Sequence, residues 1–146
     1  MIPEFENNGN LPPGIHSASI QEVKERFGTN PHRKNLLTGL DKLLKHLENI
    51  GCYLVYLDGS FITNKEYPSD YDLAWSTMGL SNNNISKIDP ILLNIKQFRR
   101  EMKEKYLGDI FPAEIPEGST GKLFRDFFQT DKNTGEDKGI IAISLN

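Results

Sequence analysis

The sequence has almost no cysteine: Cys52 stands alone, so no internal disulfide can form and a reducing compartment is compatible with the chain. At the start of a β-prone run, Cys52 reads as core rather than as a nucleophile. Long apolar runs are also missing. Nothing approaches the ~18 apolar residues of a transmembrane helix, and the N-terminus lacks the basic-then-apolar order of a signal peptide. The chain therefore reads as cytoplasmic, with no membrane partner. Nor is there a basic excess. With 17 Lys and Arg against 20 Asp and Glu, the formal net charge is −3, which argues against binding bulk nucleic acid and favours a small nucleotide or a protein as partner. The three histidines, His16, His32 and His46, have no metal-ligand spacing.

What is present suits one domain: 146 residues, 37% hydrophobic and 25% charged, enough for a single core. Residues 1–18 carry Pro3, Pro12, Pro13, Gly9 and Gly14, which predict an irregular N-terminal arm; residues 19–146 form the domain. Ser19 with Glu22 makes a capping box for a helix stopped at Gly28. Asn30 as cap and Pro31 at the first turn open a longer helix. Its Leu36, Leu37, Leu40, Leu43, Leu44, Leu47 and Ile50 make one broad apolar face, read as core-facing rather than as a partner seam. Residues 76–87 read as a loop. Asp89 and Pro90 start a helix whose apolar positions run from Ile91 to Tyr106, with Arg99, Arg100, Lys103 and Lys105 as a basic run that could steer a phosphate but, interleaved with Glu101 and Glu104, reads as a solvated face. Residues 108–115 predict a strand, 123–130 a helix and 139–145 a last strand. The fold class is α/β (α+β), a mixed β-sheet flanked by helices.

The chemistry concentrates in residues 57–75. Residues 53–57 form a β-prone run that stops at Gly59-Ser60, where glycine permits a sharp turn and consecutive N–H groups can face an anion. If residues 70–75 are a strand, Asp70 and Asp72 leave on one face, about 7 Å apart. Two carboxylates so placed want a cation, and hard oxygen ligands suit Mg²⁺ (or Mn²⁺) with a substrate phosphate filling its remaining positions. Asp70 and Asp72 are therefore the candidate metal ligands, and Gly59 and Ser60 the candidate nucleotide-binding pair. Two tempting motifs are declined. Residues 118–122, Gly-Ser-Thr-Gly-Lys, lack the first glycine and the final Ser/Thr of a Walker loop, which Pro116 and Leu123 replace. Residues 131–135 place their glycine at the fifth position of a calcium loop rather than the sixth. Both read as polar turns.

Gly59-Ser60-Phe61 followed by Ser69-Asp70-Tyr71-Asp72 resembles the signature of the DNA polymerase beta-like nucleotidyltransferase superfamily. The resemblance widens with Leu11-Pro12-Pro13-Gly14-Ile15-His16, Phe127-Phe128-Gln129-Thr130-Asp131 and Lys138-Gly139-Ile140-Ile141. Together these are similar to a family of small bacterial and phage proteins assigned to the nucleotidyltransferase fold. That resemblance implies a third carboxylate acting as general base, for which Asp109 is chosen and Glu114 is the alternative. It implies Mg²⁺-dependent transfer of a nucleoside monophosphate from a nucleoside triphosphate to a hydroxyl of a protein, RNA or small molecule. Relatives of similar size sit in toxin–antitoxin or phage-defence contexts. Larger members add a helical lid for which this chain has little material, so a homodimer or a separate protein partner could complete the site. The competing expectation is an inactive module of the same fold that binds a nucleotide or a protein, as an antitoxin or anti-defence component would.

Overall fold

The structure, a computed structural model, describes residues 1–145. Five strands form one mixed sheet in the order β1-β5-β2-β3-β4: β1 (Gly14–Ser17), β2 (Leu54–Asp58), β3 (Tyr71–Trp75), β4 (Gly108–Pro112) and β5 (Gly139–Ser144). Five helices accompany it: α1 (Ile20–Phe27), α2 (Pro31–Asn49), α3 (Asn82–Ile85), α4 (Ile95–Tyr106) and α5 (Phe124–Phe127). β2 is antiparallel to β3 and β5, whereas β1–β5 and β3–β4 are parallel pairs. The parallel pair β3–β4 is joined by the long crossover that such pairing requires, here containing α3 and α4. No helix among the described residues is long and apolar enough to cross a membrane.

The two long caps form as the sequence predicts. Ser19 and Glu22 bond reciprocally in a capping box, and the Asn30 side chain accepts from the Arg33 amide with Pro31 in the first turn. The whole leucine face of α2 is buried in one core with Val55, Leu57, Leu73 and Ile110 of the sheet, so it is spent inside the domain. The alternate residues Tyr56, Ala74, Ile140 and Ala142 meet Phe128 in a smaller core on the other face. Phe111 stacks there on Phe124 with ring centroids 4.3 Å apart. The Cys52 thiol is buried in the main core, where burial pushes its pKa up, in keeping with a packing role.

Five expectations are corrected. The arm is not irregular throughout: residues 14–17 are the edge strand β1, paired with β5. Residues 76–87 contain the single-turn helix α3. The helix expected from Asp89 to Tyr106 is two pieces, a 3₁₀ turn at Pro90–Leu93 and then α4. They are separated because Asn94 is extended and its side chain caps a second start by accepting from the Gln97 amide. The strand expected over 108–115 stops at Pro112, and the helix expected over 123–130 shrinks to α5. Pro112 is tolerated there because β4 is an edge strand, and the last bond to β3 runs from the Ala113 amide to the Trp75 carbonyl at 2.8 Å.

Gly39 shows how closely the helices approach. It lies inside α2, where glycine costs about 1 kcal/mol of helix propensity relative to alanine, yet a Cβ there would come within 2.2 Å of the Tyr106 carbonyl oxygen. The backbone at the end of α4 occupies that space. Gly39→Ala is therefore expected to destabilise the fold by about 2–3 kcal/mol despite the better propensity, read as a lower urea midpoint. An unchanged midpoint would mean that α4 can retreat freely.

Candidate functional site

β2 ends at Asp58, and Gly59 turns the chain with φ 90° and ψ −176°, a conformation closed to side-chain-bearing residues. A Cβ on Gly59 would come to 3.1 Å from the Asp72 amide nitrogen and 3.2 Å from its Oδ2. The turn thus lies directly against Asp72. Ser60 starts a 3₁₀ turn over Ser60–Ile62, and both Gly59 and Ser60 are half-buried. The segment that follows is held by a buried guanidinium. Arg33 of α2 donates to the main-chain carbonyls of Phe27 (3.3 Å), Phe61 (2.6 Å), Thr63 (2.9 Å) and Lys65 (3.2 Å from Nε, and again from Nη2).

Asp72 is the centre of the site. Its register partners are Asp58 on β2 and Asp109 on β4, and laterally paired residues leave on one face of a sheet. Three strands therefore place three carboxylates in a row. Asp70, the residue before β3, adds a fourth. Burial and the charges of Asp58, Asp70 and Asp109 push the Asp72 carboxyl up to about 7. Burial also raises Asp58, against the opposing pull of Lys138.

Three cations surround the row. Lys138, just before β5, donates to Asp58 Oδ1 at 2.8 Å. Arg99 of α4 holds Asp109 with both ends of its fork, Nε to Oδ1 at 3.2 Å and Nη2 to Oδ2 at 3.0 Å. Lys103, one helical turn further on, sits 2.9 Å from Asp70 Oδ2 and 3.6 Å from Asp109 Oδ2. Among the described residues no ion pair reaches Asp72. A cleft of ≈ 330 Å³ opens beside Asp70 and Lys103, lined also by His32, Asn35, Leu36, Ser69 and Leu107.

The structure therefore brings together Asp70, Asp72, Asp109, Gly59 and Ser60. It does not bring Glu114 there. Beyond the end of β4, Glu114 accepts from the Thr77 amide (2.7 Å), the Thr77 hydroxyl (3.0 Å) and the Ser76 hydroxyl (3.3 Å), anchoring the loop after β3. The loop at 118–122 has its own occupant: the Glu117 carboxylate takes the Ser119 and Thr120 amides, which lower its pKa to about 2. Sequence reasoning missed Asp58 and Lys138 as members of the site, and read Arg99 and Lys103 as solvated. The one local signal was the i, i+4 spacing of Arg99 and Lys103, which puts both heads on one side of a helix.

As they stand, no three His, Cys, Asp or Glu side chains among the described residues converge closely enough to hold a metal ion. The donor type is nevertheless that of a hard divalent cation, carboxylate oxygens around an unpaired Asp72. The ammonium of Lys103 lies where two of those carboxylates converge.

A family model described as "Family of unknown function (DUF6932)" matches residues 3–144. No curated protein and no solved structure matches the chain.

Proposed function

The chain belongs to the DUF6932 family, and we propose that it is a nucleotidyltransferase, moving a nucleoside monophosphate from a nucleoside triphosphate to a hydroxyl of a protein, RNA or small-molecule acceptor. The observation that carries the reading is the Gly59 turn packed against Asp72, with Asp58 and Asp109 in register on either side. A glycine turn whose main-chain N–H groups can receive an anion, set beside a row of carboxylates that can hold a cation, suits a metal-bound phosphate group. In this reading the mixed sheet is the nucleotidyltransferase fold.

Asp70 and Asp72 are the residues that would hold Mg²⁺ (or Mn²⁺). When bound, the ion would neutralise charge on the triphosphate and on the departing oxygen. Gly59 and Ser60 receive the distal phosphates through main-chain N–H groups and the Ser60 hydroxyl. Asp109 accepts the proton of the acceptor hydroxyl, whose oxygen forms the new bond to the α-phosphorus. The bond from that phosphorus to the bridging oxygen breaks, and pyrophosphate leaves. The resemblance to small toxin–antitoxin and phage-defence proteins supports a protein acceptor or partner as the biological setting.

One observation favours a second reading. Arg99 and Lys103 already neutralise Asp109 and Asp70, as they would in an inactive module that binds a nucleotide or a protein without transfer. Calorimetric titration with each of the four ribonucleoside triphosphates, first with Mg²⁺ and then with chelator, separates the transferase from a module that binds only a protein, and incorporation of labelled nucleotide separates it from one that binds a nucleotide without transfer. Metal-dependent binding is expected in the wild type and in Glu114→Gln, and is expected to be lost in Asp70→Ala/Asp72→Ala. Absence of binding in the wild type under every condition would favour the inactive module.

A further inference from the structure

We propose that Lys103 and Arg99 are exchangeable counter-ions: they hold the carboxylates Asp70 and Asp109 and move to the substrate's phosphates when metal and nucleotide enter. The proposal rests on the nucleotidyl-transfer reading and extends it to residues that reading does not use. Geometry makes the exchange necessary. Lys103 Nζ is in contact with Asp70 Oδ2 at 2.9 Å. Mg²⁺ would approach a carboxylate oxygen to about 2.1 Å. An ammonium and a dication cannot share that oxygen at such range without strong repulsion, so a bound metal displaces Lys103 from Asp70.

The displaced groups have a destination. Both heads are accessible, with side-chain exposures of 40% for Lys103 and 63% for Arg99, and both ride on flexible stems. They lie on the same side of α4, facing the strand ends that carry Asp70 and Asp109. A triphosphate held between the Gly59 turn and Asp70 would bring its anionic oxygens to that place, and guanidinium and ammonium groups bind phosphate well. The exchange also prepares the base. While Arg99 grips both oxygens of Asp109, that carboxylate's lone pairs are engaged; release of the fork frees them for the acceptor's proton.

The test needs no knowledge of the base or the acceptor. Mg²⁺ alone, and then inorganic tripolyphosphate at saturating Mg²⁺, are titrated calorimetrically into wild type and Lys103→Gln, with Lys103→Arg as the conservative variant. The exposed position allows these substitutions without loss of fold, which thermal unfolding verifies. Lys103→Gln is expected to bind Mg²⁺ at least tenfold more tightly and Mg²⁺-tripolyphosphate at least tenfold more weakly, and Lys103→Arg to restore most of the phosphate affinity. Opposite signs for the two ligands are what a counter-ion exchange requires. Equal Mg²⁺ affinity in wild type and Lys103→Gln, or changes of the same sign, would overturn the exchange and leave the nucleotidyl-transfer reading standing. Binding of neither Mg²⁺ nor Mg²⁺-tripolyphosphate to either protein would overturn both.

Discussion

Asp72→Asn is expected to make the protein more stable above pH 7 while abolishing the proposed nucleotidyl transfer. The Asp72 carboxyl is pushed up to about 7 from an ordinary value of 3.8 by burial and three neighbouring carboxylates. Between those two values the folded protein keeps a proton that the unfolded chain has lost. Stability therefore falls as pH rises through this window, and the penalty is complete above the folded value. At 1.36 kcal/mol per unit, discounted for partial exposure and for coupling within the row, the penalty is about 2–4 kcal/mol. Asparagine keeps the shape and removes the charge. Urea unfolding of wild type and variant at pH 4, 6 and 8 should give stabilities that coincide at pH 4 and diverge by about that amount at pH 8. The proposed transfer, assayed with labelled nucleotide, should fall by roughly 10³-fold or more, because the proposed metal ligand loses its charge. A variant less stable than wild type at pH 8 would show that the ionised Asp72 is held by favourable contacts, and the electrostatic account of the site would fail.

Arg33→Met is expected to cost roughly 3–5 kcal/mol, the scale of removing a buried charged donor and leaving its partners unpaired. Arg33 is 3% exposed. Its five hydrogen bonds close the carbonyls of Phe27, Phe61, Thr63 and Lys65 onto α2, and its guanidinium lies 5.2 Å from the centre of the Phe61 ring. Methionine fills the space of the stem but donates nothing. Because residues 61–65 directly follow the Gly59-Ser60 turn, the same change should loosen the proposed anion site, and tripolyphosphate affinity should fall in whatever fraction stays folded. Urea denaturation with the phosphate titration alongside checks both parts. A loss below about 1 kcal/mol would mean that other contacts of this segment suffice, such as Asn30 to the Glu66 carbonyl at 2.8 Å.

Where local rules governed, the sequence could be read directly. The Ser19–Glu22 box and the Asn30-Pro31 start each involve residues within three positions of one another, so capping chemistry alone locates α1 and α2. The leucine face of α2 had to be buried somewhere, and the sheet buries it. The run from Asp89 to Tyr106 misled for a physical reason. The 3₁₀ turn and α4 pack on the same core, so their apolar spacing reads as one period, while the break is made by Asn94 acting as a second cap. Strand β1 was hidden because its ladder partner, β5, lies at the other end of the sequence; proline and glycine dominated the local signal.

The site divides along the same line. Gly59-Ser60 and Asp70-x-Asp72 were visible because turn chemistry and strand alternation act over a few residues. Asp109 was chosen over Glu114 on a resemblance; pairing of β3 with β4 sets Asp109 beside Asp72 and sends Glu114 to Ser76 and Thr77. Asp58 and Lys138 gave no such sign, and the i, i+4 spacing of Arg99 and Lys103 showed only a shared helix side, since a charge in a sequence looks the same whether it meets water or another charge. The sequence by itself determined the two capped helices, the two strands that flank the Gly-Ser turn, and the carboxylate pair, all consequences of short-range sterics and periodicity. Only the tertiary structure decided which carboxylates share a row and which cations face them, because charge partners are set by strand register and helix packing across the whole chain.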